Sequence, residues 1–511
     1  MGSGETPYGD AHVTGASGQD EELRQALKRL VRQLVHEPDD EADGPGERLL
    51  DLLEAHLGQR PDELPVVHED VPEYRLVDAD LAMSVIAERD PGHRLVGFGG
   101  GQQRHHMTFG DQIQAARHQG GFGLGLVAQP DFVDRATGPG PEDRRHVVSL
   151  GLWLVQHDGA PVAVRQQSAA PQYGRPSGAV EVVATSRDRA EAFVAELRSL
   201  MDEHSVFGGQ VVSFSGDPYG NELAGVTFLE RPRLTPDQVV LPEGLLQRLD
   251  EHVLGAAAHR DVLLAHGQHL KRGVLLYGPP GTGKTHTVRY LLGASPGTTA
   301  VLLAGMSLRL VSFATRIARA HQPALVVLED VDLVAEDRSF GHGAQPLLFE
   351  VLDALDGLDG DADVTFVLTT NRVADLERAL SQRPGRVDLA AEIPLPDEEG
   401  RRRLLGLYAH GMFGEEAMAG VAATTAGTTA SFAKELVRRA VLHAATRGEE
   451  PGDGHLVAAA AELMSDGQAL TRSLLGAGGP DGGPGGPGPD AGQGGPGGGW
   501  FAYSPLVPRP H

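Results

Sequence analysis

Apolar positions change their period several times along the chain, and each change predicts a different layer of organisation. Residues 1–20 are small, polar and aperiodic and predict a loose end. The run EELRQALKRLVRQLV then places Leu23, Leu27, Leu30, Val31 and Leu34 on one helical face. The acidic interval Glu37 to Gly46 breaks it, and GERLLDLLEAHL resumes a second short amphipathic helix, so 21–76 reads as a helical segment. From 77 to 232 the pattern is mixed. FGLGLVA, VVSLGLWLV, VEVVA, QVVSF and GVTFL are strand-like, and SRDRAEAFVAELRSLMDEH is a helix capped by Ser186 that turns Phe193, Val194, Leu197 and Leu200 inward. These elements predict an α+β domain, joined through ERPRLTPDQVVLPEG to the C-terminal half of the chain.

From 236 to 396 the apolar runs GVLLYG, TAVLLAG, ALVVLED and VTFVLTTN alternate with helical stretches. Buried strands separated by crossover helices predict a three-layer α/β fold around a parallel sheet. After Pro396 the pattern is wholly helical, which predicts a small lid domain over 397–475. The remainder, 476–511, opens with a Gly/Pro-rich tract that cannot bury enough surface to fold, and it ends in the aromatic tip WFAYSPLVPRP. That tip reads equally as a short docking peptide or as an inert tail.

Composition narrows the function. The chain has 511 residues and a formal charge of −26, which disfavours a protein that tracks nucleic-acid phosphates. Without a single cysteine, thiol nucleophiles, disulfides and thiolate metal sites are excluded. The N-terminus MGSGETPYGDAH lacks the regions of a signal peptide, and the uncharged stretch Tyr290 to Leu308 is interrupted by Ser295, Pro296 and Gly297. The expectation is a cytoplasmic protein with no membrane span. Of 44 basic residues only Lys28, Lys271, Lys284 and Lys434 are lysine, so a lysine retained in so arginine-rich a chain suggests a need for a compact point charge. His105-His106 and the 22 histidines overall show no metal-binding spacing, and the glycines near 97–125 lack the helix and acidic partner of a dinucleotide loop.

The chemistry concentrates at Gly278-Pro279-Pro280-Gly281-Thr282-Gly283-Lys284-Thr285, a G-x-x-x-x-G-K-[ST] loop between the apolar strand GVLLY and the helix THTVRYLL. Glycines let backbone N–H groups turn inward around phosphates, and the helix N-terminus adds positive potential. Lys284 is expected to reach the β/γ oxygens of ATP, and the Thr285 hydroxyl to ligate Mg²⁺. Downstream, ALVVLEDVDLV sets Glu329 and Asp330 at the tip of a buried strand beside that loop, one carboxylate for the metal and the next to polarise the attacking water.

These motifs resemble the AAA family of ATPases over roughly Pro236 to Arg447. The resemblance implies that Asn371, ending FVLTTNR, is a sensor for the γ-phosphate or the lytic water. It places Arg383 and Arg386, in LERALSQRPGRVDLAAEIPLPDEEGRR, on the two arginine-finger columns. LLFEVLDALDGL is similar to an inter-subunit signalling helix, and TTAGTTASFAKELVRRA to the start of a lid helix. Fingers that serve a neighbouring active site imply a ring of identical subunits, with a homo-hexamer expected.

Three departures qualify the resemblance. Glu329-Asp330 reverses the usual Asp-Glu order, as in the branch that includes the mitochondrial translocase for the Rieske protein; the metal arm is longer by one methylene and the water-polarising arm shorter. The interval GMSLRLVSFATRIARAHQPALVV is short and lacks the aromatic pore-loop tripeptide of unfoldases, with Met306 and Leu308 the candidates to line a pore and Phe313 a helix core residue. Phe432 stands where the family places an aspartate. The reading is a Mg-dependent ATPase ring that remodels a protein client bound by the N-terminal domain, the alternative an ATP-gated scaffold with little turnover.

Overall fold

The computed structural model describes residues 47–117, 123–214, 225–332, 362–372, 387–465 and 469–475. The predicted helix at 21–34, the signalling-helix segment 347–358, Arg383, Arg386 and the tail 476–511 lie outside the described residues. The described residues divide into two compact units: those up to Asp70 with those in Ile86–Phe132 and Val148–Val194, and Val71–Val85 with Val133–Val147 and the described residues from Ala195.

The first unit is built on α1 (Leu49–Leu57), β1 (Val66–Val71), α2 (Leu76–Glu88), β2 (Arg94–Phe98), α3 (Phe109–Arg117), β3 (Val127–Ala128), β4 (Asp131–Ala136), β5 (Arg144–His157), β6 (Ala160–Gln167), β7 (Gly178–Ala184) and α4 (Arg187–Glu203), some of which run on into the second unit. Its sheet has the order β1-β7-β6-β5-β2-β3, with β4 on β5. The pairs from β7 to β3 are antiparallel. One face carries Leu49 and Leu53 of α1, Phe109 and Ile113 of α3, and Phe98, Leu152 and Val183 of the strands in one apolar core. VVHEDV, inside the segment expected to be helical, is a strand because its side chains alternate between exposed and half-buried positions.

In the second unit β8 (Val211–Phe214), β9 (Val226–Leu229), α5 (Leu245–Asp250), β10 (Arg272–Tyr277), α6 (Lys284–Ala294), β11 (Thr299–Ala304), α7 (Val311–Ala320), β12 (Ala324–Glu329), β13 (Val364–Thr370) and β14 (Leu389–Glu392) form the α/β core. The sheet order is β14-β10-β13-β12-β11-β8-β9. Every neighbouring pair is parallel except β8 with β9. Both faces are covered: Val301, Val326 and Phe366 point into one core, and Leu276, Val327 and Val367 into the other. That explains the unbroken apolar runs.

The sheet reaches further back than Pro236. QVVSF and GVTFL, expected in the N-terminal domain, are β8 and β9, and β8 pairs with β11 through Val211–Ala300 to Ser213–Leu302. Behind β9, Arg231 secures the arrangement. Its Nη1 donates to Leu292 O at 2.7 Å and Ser295 O at 3.0 Å, and its Nη2 to Gly209 O at 3.0 Å and Thr298 O at 2.5 Å. One guanidinium thus satisfies four carbonyls from two chain segments, Gly209 and the stretch 292–298, which a flexible linker would not do.

The lid consists of α8 (Glu398–Ala409), α9 (Glu415–Thr424), α10 (Ala430–Arg447), α11 (Asp453–Met464) and α12 (Ala469–Leu474). Asp397 caps α8 by accepting from Gly400 N at 2.7 Å, and Thr429 caps α10 by accepting from Phe432 N at 3.1 Å. Phe432 is fully buried in one core with Leu404, Val421, Leu436 and Leu463. Among the described residues no helix is long and apolar enough to cross a membrane.

Arg231→Met keeps the aliphatic stem but leaves the four carbonyls without their donor. Equilibrium urea unfolding should show a loss of about 2–4 kcal/mol, and a loss below about 0.5 kcal/mol would rule out the anchoring role.

Candidate functional site

The loop between β10 and α6 is shaped by glycines that no other residue replaces. Gly278 has φ +145°, and a Cβ there would sit 2.2 Å from Ile393 O. Gly281 has φ +77°, and its Cβ would meet Ser431 Oγ at 3.0 Å. Gly283, at φ +111°, is the residue from which α6 departs. Within the loop the Thr282 hydroxyl donates to Pro279 O at 2.9 Å. Thr285, on the first turn of α6, is exposed. The lid touches the loop directly: Ser431 N donates to Gly281 O at 3.2 Å.

Lys284 is 6% exposed, so its ammonium must find acceptors inside the protein. It donates to Gly278 O at 2.8 Å, Pro279 O at 2.9 Å and Asn371 Oδ1 at 2.7 Å, which uses all three of its protons. Asn371 in turn donates through Nδ2 to Asp330 Oδ1 at 3.3 Å. The ends of β10, β12 and β13 are thereby joined through Lys284, Asp330 and Asn371. Parallel strand order brings these ends together, because β13 lies between β10 and β12.

The acidic strand tip is bent. Glu329 closes β12 and is buried, whereas Asp330 adopts φ +49°, a left-handed conformation that Asp tolerates better than most residues. Two bonds fix this turn: Asp330 N donates to Thr369 Oγ1 at 2.9 Å and Val331 N to Thr369 O at 3.0 Å. Asp332, 5% exposed, accepts from Thr370 Oγ1 at 2.9 Å and from Asn371 N at 3.1 Å. It therefore sets the position of Asn371 from below.

Burial disfavours charge on both ends of the bridge. It lowers the Lys284 ammonium below the usual lysine range, against the attraction of Asp330 and Asp332. It raises the Asp330 carboxyl above the usual aspartate range, and Asp332 adds to the rise while Lys284 and the Asn371 hydrogen bond oppose it.

Of the residues expected to act, Gly278 to Lys284, Asp330 and Asn371 are contiguous here, with Thr285 and Glu329 on the adjoining ends of α6 and β12. Of the pore candidates, Met306 is 53% exposed and Leu308 1%, so only Met306 presents an apolar side chain to solvent. Phe313 is buried edge-on against Tyr74, with centroids 4.4 Å apart, and against Phe214 at 4.9 Å, as a core residue should be. Sequence reasoning passed over the parts played by Asp332, Thr369, Thr370 and Ser431. The first had a signal, an acid two residues beyond Asp330 in ALVVLEDVDLV.

Strand order, phosphate-type loop and bent acidic tip define a P-loop nucleotide-binding domain of the AAA type. Residues 274–395 match the ATPase family associated with various cellular activities (AAA), so the C-terminal half carries an AAA ATPase domain. Similar proteins include 26S protease regulatory subunit 6A of Caenorhabditis elegans, 31% identical over 38% of this chain and 48% of its own length. The proteasome-activating nucleotidase of Methanothermobacter thermautotrophicus is 32% identical over 37% and 49%, and 26S proteasome regulatory subunit S10B homolog B of Arabidopsis thaliana 34% identical over 33% and 45%. The chain spans about half the length of these curated relatives.

Asp330→Asn keeps the left-handed turn and removes the charge. An acid whose folded pKa is raised favours the fold below its unfolded value, about 3.9, and that contribution is lost as pH rises through the folded value. Without nucleotide, the melting temperature of the variant relative to wild type should therefore climb from about pH 4 and level off above the raised pKa. A difference that does not change with pH would dissociate the carboxylate from the effect.

Proposed function

We propose that this chain hydrolyses Mg-ATP at the loop 278–285 within a ring of identical subunits, homo-hexameric as the family resemblance implies, and couples turnover to remodelling a protein client. The observation that carries the reading is the bridge Lys284–Asn371–Asp330, which ties the phosphate loop to the acidic strand tip. Phosphate oxygens would replace the loop carbonyls and Asn371 as partners of Lys284. Asn371, released on that side, would orient the attacking water, and Asp330 would accept its proton. The Thr285 hydroxyl and the Glu329 carboxylate supply hard oxygen donors, a set that suits Mg²⁺. When bound, Mg²⁺ neutralises charge on the β- and γ-phosphates. Arg383 and Arg386 would reach the neighbouring subunit's γ-phosphate. The relatives named for the proteasome support a protein client, and the N-terminal unit is the proposed place of its recognition. The protein would work as a soluble, cytoplasmic machine.

A second reading, an ATP-gated assembly scaffold with little turnover, is favoured by one observation: Met306 is exposed and Leu308 buried, so the short segment after β11 offers a single apolar side chain and no aromatic to grip a client.

Steady-state hydrolysis measured against protein concentration, with assembly size followed in parallel, separates the two. A specific rate that climbs with assembly and falls about 10³-fold in Arg383→Ala/Arg386→Ala is expected for the shared-site ATPase. A flat, negligible rate despite ATP-dependent assembly would establish the scaffold. Asp330→Asn should still bind ATP while losing about 10²–10⁴-fold in turnover; if Glu329→Gln alone behaves that way, the two carboxylates have exchanged roles.

A further inference from the structure

Within the first unit, the stretches QQRHH, RQQ and YGR bring three arginines to one cluster. Arg165, on β6, is 0% exposed. Its Nη1 donates to Glu181 Oε2 at 2.5 Å and its Nη2 to Arg104 O at 3.2 Å, and its guanidinium carbon lies 5.4 Å from the centroid of the Phe98 ring. Glu181, on β7, is already engaged by Phe109 N at 3.0 and 3.1 Å and by Gln167 Nε2 at 3.5 Å. Gln167 accepts from Arg175 through Oε1. Arg104 donates to Phe98 O at 2.9 Å and to Asp131 Oδ1 at 2.9 Å. Contacts thus run without interruption from Arg175 through Gln167, Glu181 and Arg165 to Arg104.

Two features set this cluster apart from an ordinary buried ion pair. The Nε–H of Arg104, of Arg165 and of Arg175 is buried with no hydrogen-bond acceptor among the described residues. Buried donors are seldom left so, and three guanidinium groups with the same deficit in one contact network call for a group that only accepts. Secondly, among the described residues two carboxylates hydrogen-bond to these three cations, Glu181 and Asp131, and Asp111 adds a weaker attraction on Arg165. Burial lowers the pKa of Arg165, of Arg175 and of His105, and the three arginines push His105 further in the same direction while Asp131 opposes them. Such a site rejects a further cation.

We propose that Arg104, Arg165 and Arg175 form an oxyanion-binding site on the N-terminal unit that takes a carboxylate or phosphate group. Planar guanidinium forks match the two or three oxygens of such groups, which a lysine would meet only as a point charge. The rim is partly open and aromatic: Tyr173 lies 4.1 Å from the His106 ring, stacks on His105 at 6.3 Å and donates to Gln102 Oε1 at 3.1 Å. Arg104 and Arg175 are both half-buried, and Arg175 lies two residues from Tyr173 on the rim.

Calorimetric titration of the full chain at constant ionic strength tests this. The probes are inorganic phosphate, acetate, a short peptide with a free C-terminal carboxylate and the same peptide amidated. Saturable binding is expected, weakened at least tenfold in Arg175→Gln, less in Arg175→Lys, and unchanged in Arg187→Gln, whose side chain is 76% exposed in the same unit. Binding of phosphate or acetate alone would identify a small free anion, and preference for the free over the amidated peptide would identify a chain terminus; both support the site. Absence of saturable binding, or binding unchanged in Arg175→Gln, would overturn it. So would phosphate binding lost in Lys284→Ala and kept in Arg175→Gln, which belongs to the loop 278–285. Circular dichroism of the variants checks that each retains the fold.

Discussion

An ammonium taken out of water must be met by acceptors, and the rest of the nucleotide site depends on how Lys284 meets that demand. Two of its three acceptors are carbonyls of its own loop and the third is Asn371, at the end of a different strand. The loop must therefore curl back over the lysine, which it does by passing through Gly278, Gly281 and Gly283 at positive φ. Asn371 must stand still, which it does because Asp332 holds its backbone N–H. Of the three acceptors, Pro279 O is also held by the Thr282 hydroxyl at 2.9 Å.

Parallel strand order makes this convergence possible. Neighbours in such a sheet share direction, so the residues following β10, β12 and β13 emerge on one edge although far apart in sequence. The sheet itself is completed from outside the family-matched residues: β8 and β9 extend it beyond β11, and Arg231 binds the connection behind them to the turns that precede β11. The segment that looks like a linker is structurally part of the ATPase core. Displacing it exposes carbonyls as well as apolar surface.

The phosphate loop, the apolar strands β10 to β13 and the helical lid were all legible in the residues, because each depends on a local signal: glycine spacing, an unbroken apolar run, or a helical period. Membership of β8 and β9 in the second sheet was not, since four-residue strands carry no mark of the partner they will pair with. The strand VVHEDV escaped notice for a related reason, its alternation being too short to outweigh the helical stretch before it. In the site, Lys284 and Asp330 were visible as residue types, but the left-handed turn at Asp330 was not. It arises from a hydrogen bond to Thr369, 39 positions further along the chain though adjacent in space.

That turn bears directly on the reversed acidic pair. In an extended continuation of β12 the side chains of Glu329 and Asp330 would point to opposite faces of the sheet. The φ of +49° at Asp330 breaks the alternation and leaves its carboxylate against Asn371. The left-handed turn is held by two bonds to one threonine. The same economy appears at the lid, where the contact from Ser431 to the Gly281 carbonyl ties helix α10 to the loop at a glycine that tolerates no larger residue. Rotation of the lid that breaks this bond frees a carbonyl at the centre of the phosphate loop, three residues from Lys284. Lid position and loop geometry are therefore linked through a backbone N–H, which any residue except proline at position 431 supplies.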